Sequence, residues 1–285
     1  MTNIIIFSIV LLAVLGILIG LLLGIAGKAF AVEVDERVVQ VRECLPGNNC
    51  GGCGYPGCDG LADAIVAGTA PVNGCPVGGA PVAANIGKIM GVDAGASVKK
   101  VAFVKCAGTC DKAKNKYEYV GIEDCRAAAA IPGAGGKACS TGCLGLGSCV
   151  SVCQFDAIHI GEGGIAVVDK EKCVACGQCV STCPKHLIEL IPYKSEKFKT
   201  FYMVSCSSTD KGKDVMKVCE AGCIGCGICE KSCNFDAVHV ENNIAHIDPE
   251  KCRGCGLCSM KCPKKVIIDV TTGLPKEAPA KKDPA

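Results

Sequence analysis

Cysteine spacing constrains this chain more than any other feature. Two runs read Cys173-x2-Cys176-x2-Cys179-x3-Cys183-Pro184 and Cys252-x2-Cys255-x2-Cys258-x3-Cys262-Pro263. A third, Cys223-x2-Cys226-x2-Cys229-x3-Cys233, carries Asn234 in place of the proline. A fourth keeps Cys143, Cys149 and Cys153 but has Leu146 where the second cysteine is due and Gln154 in the proline position. Three closely spaced thiolates plus a fourth serving the neighbouring cluster of a pair is the ligation pattern of 4Fe–4S cubes. Zinc sites use two separated pairs of ligands rather than three in one run.

The composition agrees. The chain has 285 residues, 26 of them cysteine, no tryptophan and 4% aromatics, so side chains for a conventional core are scarce. Metal clusters can tie loops together where such a core is missing. Disulfide scaffolds are short chains with dispersed cysteines, whereas these stand in ligand-spaced blocks. The length suggests two or three small domains. The formal charge of +2 counts every thiol as neutral. Five oxidised cubes at about −2 each would bring the chain to about −8. Lys172, Lys185, Lys251, Lys261, Lys264 and Lys265 stand near the runs and read mainly as solvated surface.

Residues Ile4 to Ala26 carry no charge and are mostly Ile, Leu and Val, long enough for one bilayer-spanning helix. Gly16, Gly20 and Gly24 share one face of it, a stripe that lets another helix approach closely. A signal peptide is the rival, since Ala29-Phe30-Ala31 resembles a cleavage site, but no Lys or Arg precedes the apolar run. Lys28, Arg37 and Arg42 follow it. The positive-inside rule then predicts a retained single-pass anchor in the cell membrane with the cluster domains on the cytoplasmic side.

After the anchor come Asn48-Asn49-Cys50-Gly51-Gly52-Cys53-Gly54-Tyr55-Pro56-Gly57-Cys58 and then Cys75-Pro76. Cys50, Cys53, Cys58 and Cys75 suit a single cube, with a short helix over 59–66 leaving the third ligand. Cys44 falls outside the spacing and reads as a plain thiol.

The remainder is an internal repeat. Lys137-Ala138-Cys139-Ser140-Thr141-Gly142-Cys143 matches Lys217-Val218-Cys219-Glu220-Ala221-Gly222-Cys223, Phe155–Ile160 matches Phe235–Val240, and Val104-Lys105-Cys106 echoes Val204-Ser205-Cys206. Alternating apolar residues and Gly/Asn turns predict a hairpin inside each unit: Ala157–Ile160 with Ile165–Val168, and Ala237–Val240 with Ile244–Ile247. The expected ligand sets are Cys223, Cys226, Cys229 and Cys262; Cys233, Cys252, Cys255 and Cys258; and Cys153, Cys173, Cys176 and Cys179. The altered site has Cys143, Cys149 and Cys183, with Cys139 the nearest substitute at the gap left by Leu146; a three-iron site is the alternative there. Cys106, Cys110 and Cys125 are candidates, with Cys139, for a sixth cluster, and Cys139 cannot serve both. Five 4Fe–4S clusters are therefore expected, with a sixth left open. Cys206 and Cys219 receive no role.

The expected fold is α+β: a single transmembrane helix (1–27), a small four-Cys iron–sulfur module (28–95), and two ferredoxin-like two-cluster units. The first, with its Cys-rich lead-in, spans 96–195 and the second 196–270. A Pro-, Lys- and Ala-rich tail, 271–285, reads as disordered.

The anchor, the Asn48–Cys58 module, the Lys-Cys-Ala-Gly-Thr-Cys-Asp-Lys-Ala stretch at 105–113 and the ferredoxin repeats together resemble the B subunits of Rnf complexes, membrane-bound ferredoxin:NAD+ oxidoreductases that pump Na+ or H+. The duplicated unit matches their longer form. The resemblance implies electron relay from soluble reduced ferredoxin to membrane, flavin-bearing and NAD-binding partner subunits, as one component of the oxidoreductase. No Gly-x-Gly-x-x-Gly opens a helix after a strand and no flavin site is visible, so nicotinamide chemistry and ion translocation are expected on those partners, and no catalytic residue or nucleic-acid partner is expected here. The module's spacing also resembles cluster domains of corrinoid iron–sulfur proteins, but the apolar run and the duplicated units argue against that reading. A redox scaffold would not need so many sites in series.

Overall fold

The computed structural model describes residues 2–29, 35–95, 98–193 and 200–277. Helix α1 (Thr2–Ala29) is the apolar run. Among the described residues it is the one helix long and apolar enough to cross a membrane, and none of its apolar window is buried. A Cβ added at Gly16, Gly20 or Gly24 would meet nothing within 4 Å, so that face stands open.

The module is a small helical body with its own core. Helices α2 (Glu36–Cys44), α3 (Cys58–Val66) and α4 (Gly79–Met90) enclose Val41, Leu61, Ile65 and Ile86. Each such side chain, once buried, contributes about 1.5–3 kcal/mol. The Asp35 carboxylate caps α2 by accepting the Arg37 N–H at 2.8 Å, and α4 stops at Gly91, whose φ of 68° suits glycine. Helix α3 lies where the sequence places a helix, whereas α2 and α4 carry no ligand pattern that would announce them.

The first unit runs β1 (Lys100–Val104), α5 (Cys125–Ala130), α6 (Ser148–Ser151), β2 (Ile158–Ile160), β3 (Ala166–Val168), α7 (Gln178–Thr182) and β4 (Ile188–Pro192). The second runs β5 (Tyr202–Val204), α8 (Gly212–Val218), α9 (Ile228–Lys231), β6 (Val238–Glu241), β7 (Ile244–Ile247), α10 (Leu257–Lys261) and β8 (Ile267–Asp269). The inner hairpins β2–β3 and β6–β7 lie where alternation places them, with Ile158 opposite Val168 and Val238 opposite Ile247. Each unit also closes on itself. The strand before its first cysteine run pairs antiparallel with the strand after its last, β1 with β4 and β5 with β8.

A two-stranded sheet is marginal alone, and here β1 packs on β3 and β5 on β7. One hydrophobic cluster runs through both units, from Val101 and Phe103 through Ile158, Leu187 and Tyr202 to Ile267 and Val270. The boundary that the sequence places at 195/196 falls among residues 194–199, which lie outside the described residues. The first residues of the expected tail fold back: Asp269 N–H donates to Leu274 O at 2.9 Å, Lys276 N–H to Ser259 Oγ at 2.9 Å and Lys276 Nζ to Cys255 O at 2.7 Å. The rest of the tail, 278–285, lies outside the described residues.

Candidate metal centres

One backbone device recurs in all four ferredoxin-type runs. Gly147, Gly177, Gly227 and Gly256 take φ of 77°, 80°, 71° and 74°, and each immediately precedes a short helix, α6, α7, α9 and α10. The left-handed residue reverses the chain so that the thiols before and after it face one hollow. Earlier in the third run Gly225 (φ 62°) lies so close to the β6–β7 turn that a Cβ would sit 2.7 Å from Asn243 O. In the module, Asn49 Oδ1 accepts the Cys58 N–H at 2.8 Å and holds the first turn of α3 against the cysteine loop.

The thiols gather in sets. Cys153, Cys173, Cys176 and Cys179 line one hollow, and Cys233, Cys252, Cys255 and Cys258 another. Cys229 lies within electrostatic reach of Cys223, Cys262 and Cys226, and Cys75 within reach of Cys58 and Cys53. Helix α6 packs on α7 and α9 on α10, so the runs associate within each unit.

At the altered site the structure departs from the sequence expectation. Cys139 does not come to Cys143, Cys149 and Cys183. The fourth thiol lining that hollow is Cys125, the first residue of α5. Its position is built: Cys125 N–H donates to Ser148 Oγ at 2.6 Å, and the Ser148 hydroxyl donates to Asp124 Oδ2 at 2.9 Å. Asp124 caps α5 and accepts the N–H groups of Arg126 and Ala127. The Ala127 N–H foremost, then the Ser148 hydroxyl, hold its carboxyl at about 2, below the ordinary 3.8. Cys139 instead lines a separate hollow with Cys106, Cys206 and Cys219. Cys110 joins neither set. It is exposed and lies against the β2–β3 turn, where its N–H donates to Gly163 O at 2.9 Å. Cys44 packs partly buried on the module core.

Spacing could not reveal Cys125, because nothing in a lone cysteine says which distant hollow it enters. One signal was legible: Cys106 and Cys139 stand 33 positions apart, Cys206 and Cys219 only 13, so the first unit carries an insertion, and Cys125 lies inside it.

The surroundings suit iron–sulfur cubes. Backbone amides donate to sulfur from Ala102 to Cys173 at 3.3 Å, from Ala157 to Cys153 at 3.4 Å and from Gly78 to Cys75 at 3.4 Å. Burial, reinforced by neighbouring thiols, pushes Cys149, Cys179 and Cys258 up to about 12 and Cys229 to about 11. Alone, these thiols would stay protonated. A cationic iron core reverses that balance and releases their protons. Among the described residues no three Cys, His, Asp or Glu converge closely enough to hold one metal ion; the sulfurs ring open space instead. Gln154 and Asn234, in the positions usually held by proline, are both exposed, and the amide that reaches Cys153 is that of Ala157.

The module touches the first unit at a cluster site. Gln178 Nε2 donates to Cys50 O at 2.6 Å. Gly52 packs so tightly on the Cys176 carbonyl that a Cβ there would overlap it.

The family described as "Putative Fe-S cluster" matches residues 45–77, and the family described as "4Fe-4S dicluster domain" matches 172–237 and 222–266. The chain is 51% identical to the B subunit of the Na(+)-translocating ferredoxin:NAD(+) oxidoreductase complex of Acetobacterium woodii, over 94% of this chain and 78% of that protein. It is 45% identical to the B subunit of the ion-translocating oxidoreductase complex of Methanosarcina acetivorans, over 94% of this chain and 99% of that one. With the B subunit of the proton-translocating ferredoxin:NAD(+) oxidoreductase complex of Clostridium ljungdahlii it shares 41% identity over 99% of both chains.

The chain belongs to the family of Rnf B subunits.

Within this Rnf protein, the first dicluster match straddles the two units, joining the run at Cys173 to the run at Cys223. The fold pairs them otherwise, α6 with α7 and α9 with α10. Evenly spaced runs look alike along a sequence, and only the hairpin between two runs decides which pair packs together.

Proposed function

We propose that this Rnf protein relays electrons within an ion-translocating ferredoxin:NAD+ oxidoreductase, with soluble reduced ferredoxin as donor and the other Rnf subunits as acceptors. A bound 4Fe–4S cube supplies one-electron exchange, and the protein supplies ligation, spacing and potential. Cys50, Cys53, Cys58 and Cys75 hold one cube in the module. Cys153, Cys173, Cys176 and Cys179 hold one in the first ferredoxin-like unit, beside a site of Cys125, Cys143, Cys149 and Cys183. The second unit holds two, on Cys223, Cys226, Cys229 and Cys262 and on Cys233, Cys252, Cys255 and Cys258. Helix α1 anchors the chain, with the cluster domains on the cytoplasmic side, and its glycine face receives a partner helix. Nicotinamide chemistry and ion translocation belong to the partner proteins.

The observation that carries the relay reading is the closeness of successive sites. Cys176 lies within electrostatic reach of Cys50, and Gly52 of the module packs against the Cys176 carbonyl. Electrostatic reach also links Cys149 to Cys179 in the first unit and Cys258 to Cys229 in the second. The backbone amides on the sulfurs tune the potentials. Mixing the anaerobically purified complex with reduced ferredoxin should bleach the visible absorption of this chain's clusters before NADH forms. NADH formation with no prior bleaching would remove the chain from the path. Deleting residues 1–27 should leave a soluble, coloured protein, because every proposed ligand lies beyond them; full cluster loading with aggregation would count against a simple anchor.

A further inference from the structure

Cys106, Cys139, Cys206 and Cys219 line one hollow between the two units. Two come from each unit, and they are repeat mates: Cys106 corresponds to Cys206 and Cys139 to Cys219. Their hydrogen bonds repeat as well. Cys143 N–H donates to Cys106 Sγ at 3.4 Å, and Cys223 N–H donates to Cys206 Sγ at 3.3 Å. Cys219 lies within electrostatic reach of both Cys139 and Cys106, and Cys206 of Cys139.

Two further observations call for an anionic group with acceptor atoms here. Ser205 lines the hollow, and its buried hydroxyl has no hydrogen-bond partner among the described residues. Burying such a group is unfavourable unless something accepts its proton. Lys137 also lines the hollow and is only 8% exposed. Its ammonium donates to a neutral carbonyl, Gly108 O, at 2.7 Å, and no carboxylate among the described residues pairs with it. A buried cation needs negative charge nearby.

The lead-in segment stitches this centre together. Lys114 N–H donates to Val218 O at 2.9 Å and Glu220 N–H to Lys112 O at 2.8 Å, while Ala138 N–H donates to Lys114 O at 2.8 Å. The segment therefore binds the backbone beside Cys219 on one edge and the backbone beside Cys139 on the other.

We propose that Cys106, Cys139, Cys206 and Cys219 hold a sixth 4Fe–4S cluster, shared by the two units and joining their electron paths. Its neighbours are the Cys143 site, through the Cys143–Cys106 contact, and the Cys223 site, through the Cys223–Cys206 contact. One electron arrives from either neighbour, which is oxidised by one, and leaves to the other; no bond forms or breaks. Neither unit alone has more than half of the ligands. Twenty-four of the 26 cysteines then fall into six sets of four, leaving only Cys44 and Cys110. The site's role as a link rests on the relay reading, but its existence does not.

The test counts metal rather than activity. Native mass spectrometry of the intact, anaerobically isolated chain should find about 24 irons, four for each of six cubes. About 20 irons with a zinc ion, or about 20 with four free or disulfide-bonded thiols at these positions, would overturn the assignment. The variants Cys106→Ala and Cys219→Ala, one from each unit, should abolish the same EPR signal, and the double variant should lose no more iron than either single one. Additive loss would place the two cysteines on different clusters and sink the shared site. If an alanine variant does not fold, the wild-type count still decides.

Discussion

In the second unit Cys223, Cys226 and Cys229 come from one short run ending in α9, and Cys262 closes the set from the partner run. In the first unit the middle position is Leu146, and Cys125 reaches the equivalent hollow from a separate helix. The two sites are bounded alike, each by a left-handed glycine and a short helix, yet one draws its thiols from the run itself and the other through an insertion. A thiol need not stand in the run if its backbone is held equally firmly. In the first unit Ser148 does the holding. Its counterpart in the second unit, Ile228, is 41% exposed and holds nothing comparable. The remote solution is held by Asp124, Ser148 and the cap of α5.

The largest effect that can break this comparison is loss of a ligand. Cys125→Ala and Cys226→Ala should each remove one cube, about four irons per chain, read by iron and sulfide analysis. Leu146→Cys should restore the first loss, because it rebuilds the local solution. Unchanged iron in Cys125→Ala would show that the first unit is completed by some other residue.

A smaller effect falls on the support. Ser148→Ala leaves the Cys125 N–H without its acceptor, at a cost of about 1–3 kcal/mol. It should make the first unit's altered cluster the most labile to chelators, while Ile228→Ser in the second unit changes little. Equal lability in both variants would mean that Ser148 is incidental to Cys125.

The units also differ in what docks on them, since the Gln178–Cys50 contact involves the first alone. Gln178→Ala should loosen the module by about 0.5–1.5 kcal/mol, seen as faster amide exchange around Cys50 with none in the second unit. Exchange rising equally in both units would refute a local contact.

The smallest effect is on pH. The Asp124 carboxyl is held at about 2 against an ordinary 3.8. Its contribution to the α5 cap is complete above the ordinary value and is lost as pH falls through the lower one. Acid release of the first unit's altered cluster should therefore shift in Asp124→Asn, while release from the second unit stays put. Identical acid profiles for wild type and variant would show that the cap plays no part in holding Cys125.

Much was legible in the sequence because cluster ligation is local. Three thiols within one short loop leave few alternatives, so the intact runs could be read from spacing, as could β2–β3 and β6–β7 from alternation and α3 from its position after Cys58. The outer pairs β1–β4 and β5–β8 were not legible, since their partners lie at opposite ends of each unit and nothing local names them. The module helices α2 and α4 escaped as well. Neither carries a full ligand set, and the apolar residues that brace the module, Val41 and Ile86 among them, gain their meaning only from packing on α3.

Spacing and repetition alone determined that this chain binds cubane clusters in a duplicated unit behind an apolar helix, because covalent distance along a loop limits which thiols can share a cube. Only the tertiary structure decided where Cys125 and Cys139 go. Their neighbours come from other loops and, for Cys139, from the other unit, and that proximity is set by backbone pairing along 112–116 and by one continuous core, neither of which is written in the spacing of cysteines.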